Sequence, residues 1–292
     1  MFLFSHRALS RRNVACAAGL CAIVGSSLFA KDLSSLDQKF FDALIKRNWL
    51  RQANVLVDSL TEQHGKELPD LQFMQLRLFI AADNTDAAGK LVDQLVQDKD
   101  LYGKALAIMA TESTSASKRI DYYRTYFEKA PRPNKDDEVE AYRSHILNYV
   151  ELLQREGKFD DAIGAARLMV TVGEANRQVQ RHVTLLEGQI LLEKGLHEKE
   201  TNPSAKEGSG KKAVHKWKKK LEAAEQKLLE LVFIQDYFAT LAYPALMQIQ
   251  NELGDPDKAE DTFNASFGLL KKAEDEIAKR TKNLSASPVA PA

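Results

Sequence analysis

Six histidines, two cysteines and 41 acidic side chains are the groups in this 292-residue chain whose chemistry needs placing first. His6, His64, His145, His182, His197 and His215 form no H-E-x-x-H pair and no histidine–cysteine spacing of the metal-ligand kind. A neutral imidazole titrates near pH 6.5, and His145 and His182 fall inside helical patterns, but titration alone assigns no reaction. Gly208-Ser209-Gly210-Lys211-Lys212 invites a phosphate-loop reading and lacks the frame for it. Ala205 stands where the first glycine is needed, Lys212 stands where a hydroxyl would hold magnesium, and no strand leads in.

Carboxylates side by side at Asp136-Asp137-Glu138 and Asp160-Asp161 could share acid–base work or hold a cation. Both groups open helical patterns, where carboxylates meet the positive end of a helix dipole. Lys211, Lys212, Lys216, Lys218, Lys219 and Lys220, with His215 and Trp217, form a basic run. It reads either as a surface for an acidic partner or as the solvated face of an amphipathic helix. Trp217 falls on the apolar stripe, and Glu222, Glu225 and Glu230 dilute the charge. The sequons Asn264-Ala265-Ser266 and Asn283-Leu284-Ser285 matter only in a eukaryotic secretory host. No catalytic, cofactor-binding or metal-ligating set emerges, so the expectation is a protein that is not an enzyme and takes no cofactor.

Positioning elements come next. The chain balances 41 basic against 41 acidic residues, with 44% apolar and 28% charged. That is a globular composition with no general attraction for nucleic acid. Residues 1–30 carry His6, Arg7, Arg11 and Arg12, no acid, and then a short apolar stretch ending Ser27-Leu28-Phe29-Ala30. A basic head, an apolar middle and a small residue at the end describe an export signal. Ser10-Arg11-Arg12-Asn13-Val14 resembles a bacterial twin-arginine address, with Val14-Ala15 in place of the usual aromatic–leucine pair. The expectation is export to the periplasm or cell envelope. An uncleaved membrane anchor and a mitochondrial presequence stay open as alternatives, and membrane contact is expected only if this segment is retained. Cys16 and Cys21 both lie within it, so its removal leaves no thiol and no disulfide.

From Lys31 onward the apolar period is 3.6. Tyr142, Ile146, Tyr149 and Leu153 share one stripe; Val179, Val183, Leu186 and Ile190 share another; Val214, Trp217, Leu221, Ala224, Leu228 and Leu231 a third. Such stripes are buried helix faces, and no alternating β-branched run competes with them. The fold class is all-α, with roughly three quarters of the chain in helix against a usual third.

A turn motif recurs within this helical pattern. Gly157-Lys158-Phe159-Asp160-Asp161-Ala162 has a small turn residue, a large apolar one and an alanine five residues after the first. Gly254 to Ala259, Asn48 to Ala53 and Asp83 to Ala88 repeat the spacing, and Ser115 to Ile120 is a degenerate copy. Glycine or asparagine ends one helix in a left-handed conformation, and the alanine lets two helices cross closely. The stretch 141–174, with Ile146, Tyr149, Leu153, Gly157, Phe159 and Ala162, resembles the tetratricopeptide-repeat family. Asn48 to Asp83 is 35 positions, near that family's period. Val150 and Glu174 depart from its pattern. Later spacings of 32, 42 and 97 are irregular, and the last hides a further hairpin turning near Gly195.

The resemblance implies a right-handed α-solenoid of about five or six helix hairpins over residues 31–280. An exposed insertion is expected at 195–212 and a disordered tail at 281–292. It also implies a concave groove lined by the first helix of each pair, where Gln38, Asp42, Arg77, Glu151, Gln154, Gln248 and Asn251 fall. The expected function is a scaffold or adaptor holding a protein or peptide partner in that groove. The alternative is a homo-oligomeric envelope component pairing through Phe263, Phe267 and Leu270.

Overall fold

The computed structural model describes residues 33–133, 135–208 and 214–286. The export segment expected at residues 1–30 lies outside them. Among the described residues the chain is all-α: twelve α-helices, two short 3₁₀ turns and one two-residue β ladder. The helices divide into two compact units that meet in sequence at Thr114 and Ser115.

The first unit holds α1 (Ser35–Lys46), α2 (Leu50–His64), α3 (Pro69–Ala81), α4 (Thr85–Gln94) and α5 (Lys99–Glu112). Each helix packs on the next, and α3 also packs on both α1 and α5. Phe41, Leu44, Ala53, Leu60, Leu71, Met74 and Leu78 form a continuous buried core across the first three.

The second unit holds α6 (Ala116–Lys129), α7 (Asp136–Arg155), α8 (Phe159–Arg167), α9 (Arg177–Thr201), α10 (Lys216–Val232), α11 (Tyr237–Leu253) and α12 (Pro256–Ala286). Consecutive helices again pack on each other, and α9 also packs on α11. Leu185, Leu192, Trp217, Leu221, Leu228, Leu246 and Ile249 form the core of α9, α10 and α11. Arg181, itself buried, ties the same three helices together. Its guanidinium donates to the Leu231 carbonyl at 2.9 Å and to Asp236 at 2.6 Å. Asp236 in turn caps α11 by accepting from the Phe238 and Ala239 amides.

Four helix connections share one backbone device. Asn48, Asp83, Gly157 and Gly254 have φ of 56°, 54°, 68° and 91°. Each donates its amide three residues back, and the next residue donates five residues back, as in Trp49 to Leu44, Asn84 to Phe79, Lys158 to Leu153 and Asp255 to Gln250. This double closure satisfies carbonyls the ending helix leaves open. The amides of Ala53, Ala88, Ala162 and Ala259 then make the first bond of the following helix. All four alanines are buried, as the close crossing requires.

Three expectations need correction. The insertion does not begin at Gly195, because α9 runs unbroken to Thr201. Gly195 lies against α10, where an added Cβ would stand 2.6 Å from Leu221 Cδ2 and 3.3 Å from the Trp217 carbonyl oxygen. Gly188, two turns earlier, meets Leu228 Cδ2 at 2.5 Å in the same way. These glycines permit close helix approach and do not form a turn. The α9–α10 pair is instead joined through an antiparallel ladder, Lys206 opposite His215 and Glu207 opposite Val214. Within the segment expected as a disordered tail, residues 281–286 continue α12, since no helix breaker precedes Pro288. Residues 287–292 lie outside the described ones. The degenerate copy at Ser115 is no left-handed turn: Ser115 is extended and caps α6 by accepting from the Lys118 amide.

Candidate functional site

The odd-numbered helices of the first unit present a groove of about 310 Å³. Ser34 and Asp98 start α1 and α5 by side-chain caps, and Pro69 occupies the first turn of α3, where its missing donor costs nothing. Once these helices are aligned, Gln38, Phe41 and Asp42 come from α1, Asp70, Phe73, Met74 and Arg77 from α3, and Ile108 and Glu112 from α5.

Arg77 stands at the centre. Its Nη1 donates to Asp42 Oδ1 at 2.5 Å and its Nε to Glu112 Oε1 at 2.7 Å. The guanidinium carbon lies 5.6 Å from the centroid of the buried Phe41 ring, a cation–π arrangement. Desolvation pulls the Arg77 pKa down. The hydrogen bond to Asp42 and the charges of Glu112 and Asp42 more than reverse this and hold it above its ordinary value. For Glu112 the balance goes the other way: burial raises its carboxyl, and Arg77 offsets this only in part. At the edge Gln38 Nε2 donates to Asp70 Oδ2 at 3.3 Å. The groove thus has an apolar floor and a rim of three carboxylates and one guanidinium.

Three of the seven residues picked from sequence, Gln38, Asp42 and Arg77, converge here. The other four lie in the second unit. Glu151 pairs with Arg155 one turn along α7, and Gln154 donates to Glu193 of α9 at 2.7 Å. Gln248 and Asn251 are exposed on α11. Sequence reasoning passed over Phe41, Asp70, Phe73, Met74, Ile108 and Glu112. The signal was present, because residues 38, 73 and 108, like 42, 77 and 112, recur at the 35-residue spacing that separates Asn48 from Asp83.

The remaining candidate groups take structural places. His145 packs among Tyr123 and Tyr126 of α6 at ring distances of 6.4 and 5.4 Å, and burial lowers its pKa. Burial also lowers His182, 6.0 Å from Phe238. Among the described residues no group of three or more histidine, cysteine or acidic side chains is placed to hold a metal ion. Asp136-Asp137-Glu138 and Asp160-Asp161 occupy the first turns of α7 and α8, and Asp160 pairs with Lys194 at 2.7 Å. Trp217 is core, with the Lys199 and Lys218 ammoniums over its ring at 4.9 and 5.4 Å, while Lys211 and Lys212 lie outside the described residues. No helix among the described residues is long and apolar enough to cross a membrane.

No protein-family model matches the chain, and no curated protein matches it.

Proposed function

We propose that this chain is a non-enzymatic, exported helical-repeat protein that holds a peptide segment of a partner in the groove over α1, α3 and α5. In this reading each unit is a tetratricopeptide-like run of hairpins with right-handed winding. The observation that carries it is the convergence of polar side chains from three repeat-related helices on one concavity with an apolar floor. An apolar floor supplies affinity, and a charged rim supplies orientation and selectivity. The test is peptide display against the full chain, with selected peptides re-measured on Phe73→Ala. Selected binders that lose affinity about ten-fold on this variant support the reading. Display that enriches no sequence, or binders indifferent to Phe73, would overturn it.

A second reading, homo-oligomer formation through α12, rests on Phe263 and Phe267. Their rings meet at 5.3 Å and stay 46% and 62% exposed. Light scattering across a concentration series separates the two, since a strict monomer removes this reading and leaves the groove untouched.

A further inference from the structure

Resting on the peptide-groove reading, we infer that the groove selects a segment bearing a cationic side chain, arginine or lysine, between apolar residues, and discriminates against acidic ones. The lining carries Asp42, Asp70 and Glu112 against Arg77 alone, so its formal charge is negative. Two of Arg77's five donors already hold Asp42 and Glu112, so two acids offset its single charge. An anionic ligand drawn to its remaining donors would also face Asp42, Asp70 and Glu112. A cation meets the opposite situation. Among the described residues no basic side chain pairs with Asp70, whose partner is the Gln38 amide at 3.3 Å. Glu112 is a half-buried carboxyl whose charge Arg77 compensates only in part, and a second cation beside it relieves the remainder.

Size and floor fix the rest of the chemistry. About 310 Å³ accommodates one long side chain with an apolar neighbour, not a folded domain. Phe73, Met74 and Ile108 offer contact to the methylene stem of arginine or lysine and to a flanking leucine, while the head group reaches Asp70. A peptide is favoured over a small polyamine because the lining spans three helices and its floor is apolar.

Three dye-labelled nine-residue peptides test this on the full chain by fluorescence anisotropy at low salt. They are identical except for a central arginine, citrulline or glutamate between leucines. The arginine peptide is expected to bind about ten-fold more tightly than the citrulline peptide, and the glutamate peptide most weakly. Raising salt from about 0.05 to 0.5 M should erase most of the difference. Asp70→Asn should reduce the arginine peptide's affinity about five-fold and leave the citrulline peptide unchanged. Equal binding of all three, tightest binding of the glutamate peptide, or indifference to Asp70→Asn overturns the cation preference and leaves the groove reading standing. Binding of none of the three overturns both.

Discussion

Asp42 and Glu112 stand 35 residues before and after Arg77, and both reach its guanidinium, at 2.5 and 2.7 Å. Positions 35 residues apart on α1, α3 and α5 therefore carry acid, base and acid, a ladder of charge across these helices. The ladder aligns these helices and sets the rim of the groove.

Removing its centre should show in stability. Arg77→Gln leaves Asp42 and Glu112 facing each other with Glu112 half-buried, and is expected to cost about 1–2 kcal/mol, between an exposed pair and a fully buried one. The Glu112 carboxyl lies above its ordinary value already, and without Arg77 it must rise further. A raised acid holds its proton longer in the fold than in the unfolded chain. The variant should therefore lose stability as pH rises from about 4 towards neutral. Urea unfolding at several pH values checks this, and adding Glu112→Gln should recover about half the loss and flatten the pH dependence.

His145 makes a prediction of opposite sense. Burial against Tyr123 and Tyr126 lowers its pKa, so below pH 6.5 the unfolded chain takes up a proton that the fold resists. Stability should be unaffected above that pH and fall as pH drops through 6.5 towards the folded value. His145→Phe is expected to reduce the slope, leaving the part due to His182, which shifts the same way. Unfolding midpoints at pH 7.5 and about 5.0 decide it.

The two close-approach glycines separate packing from propensity. Gly188→Ala drives a methyl into Leu228, a clash that costs about 1–3 kcal/mol and exceeds the ~1 kcal/mol that alanine contributes to a helix interior. Gly195→Ala should behave alike against Leu221. Gly164→Ala, in α8 with open space around its Cα, should instead stabilise by up to about 1 kcal/mol. Thermal unfolding of the three variants would read opposite signs.

Left-handed backbone gives a fourth expectation. Gln235, at φ 49°, joins α10 to α11 in a conformation that long side chains resist. Gln235→Gly should raise stability by about 1 kcal/mol. Asn48→Gly should change it by less, since asparagine tolerates that region. Denaturant midpoints of the two variants measure the contrast.

These residues also show what could be read from the sequence. Asn48, Asp83, Gly157 and Gly254 were legible as turns because a left-handed position restricts residue type, and the buried alanines followed at fixed spacing. Gln235 carries no such mark. Gly195 was misplaced because a glycine needed for contact with Leu221 looks the same in sequence as one needed for a turn. Gln38, Asp42 and Arg77 were found as polar positions on first helices. Glu112 and Ile108 were not, because the third copy was anchored at Ser115, 32 positions after Asp83, whereas the groove keeps a register of 35. The offset of three residues rotates a helix by about 300° and moves it about 4.5 Å along its axis, so counting back from Ser115 does not land on Ile108 and Glu112.

Methyl NMR of the methionines reads the groove most directly, because Met74 lines it while Met169 and Met247 lie in the second unit. Titrating the full chain with the arginine peptide should shift the Met74 methyl resonance saturably and leave Met169 and Met247 in place. An unmoved Met74 at peptide saturation, or shifts confined to Met169 or Met247, would contradict peptide capture over α1, α3 and α5.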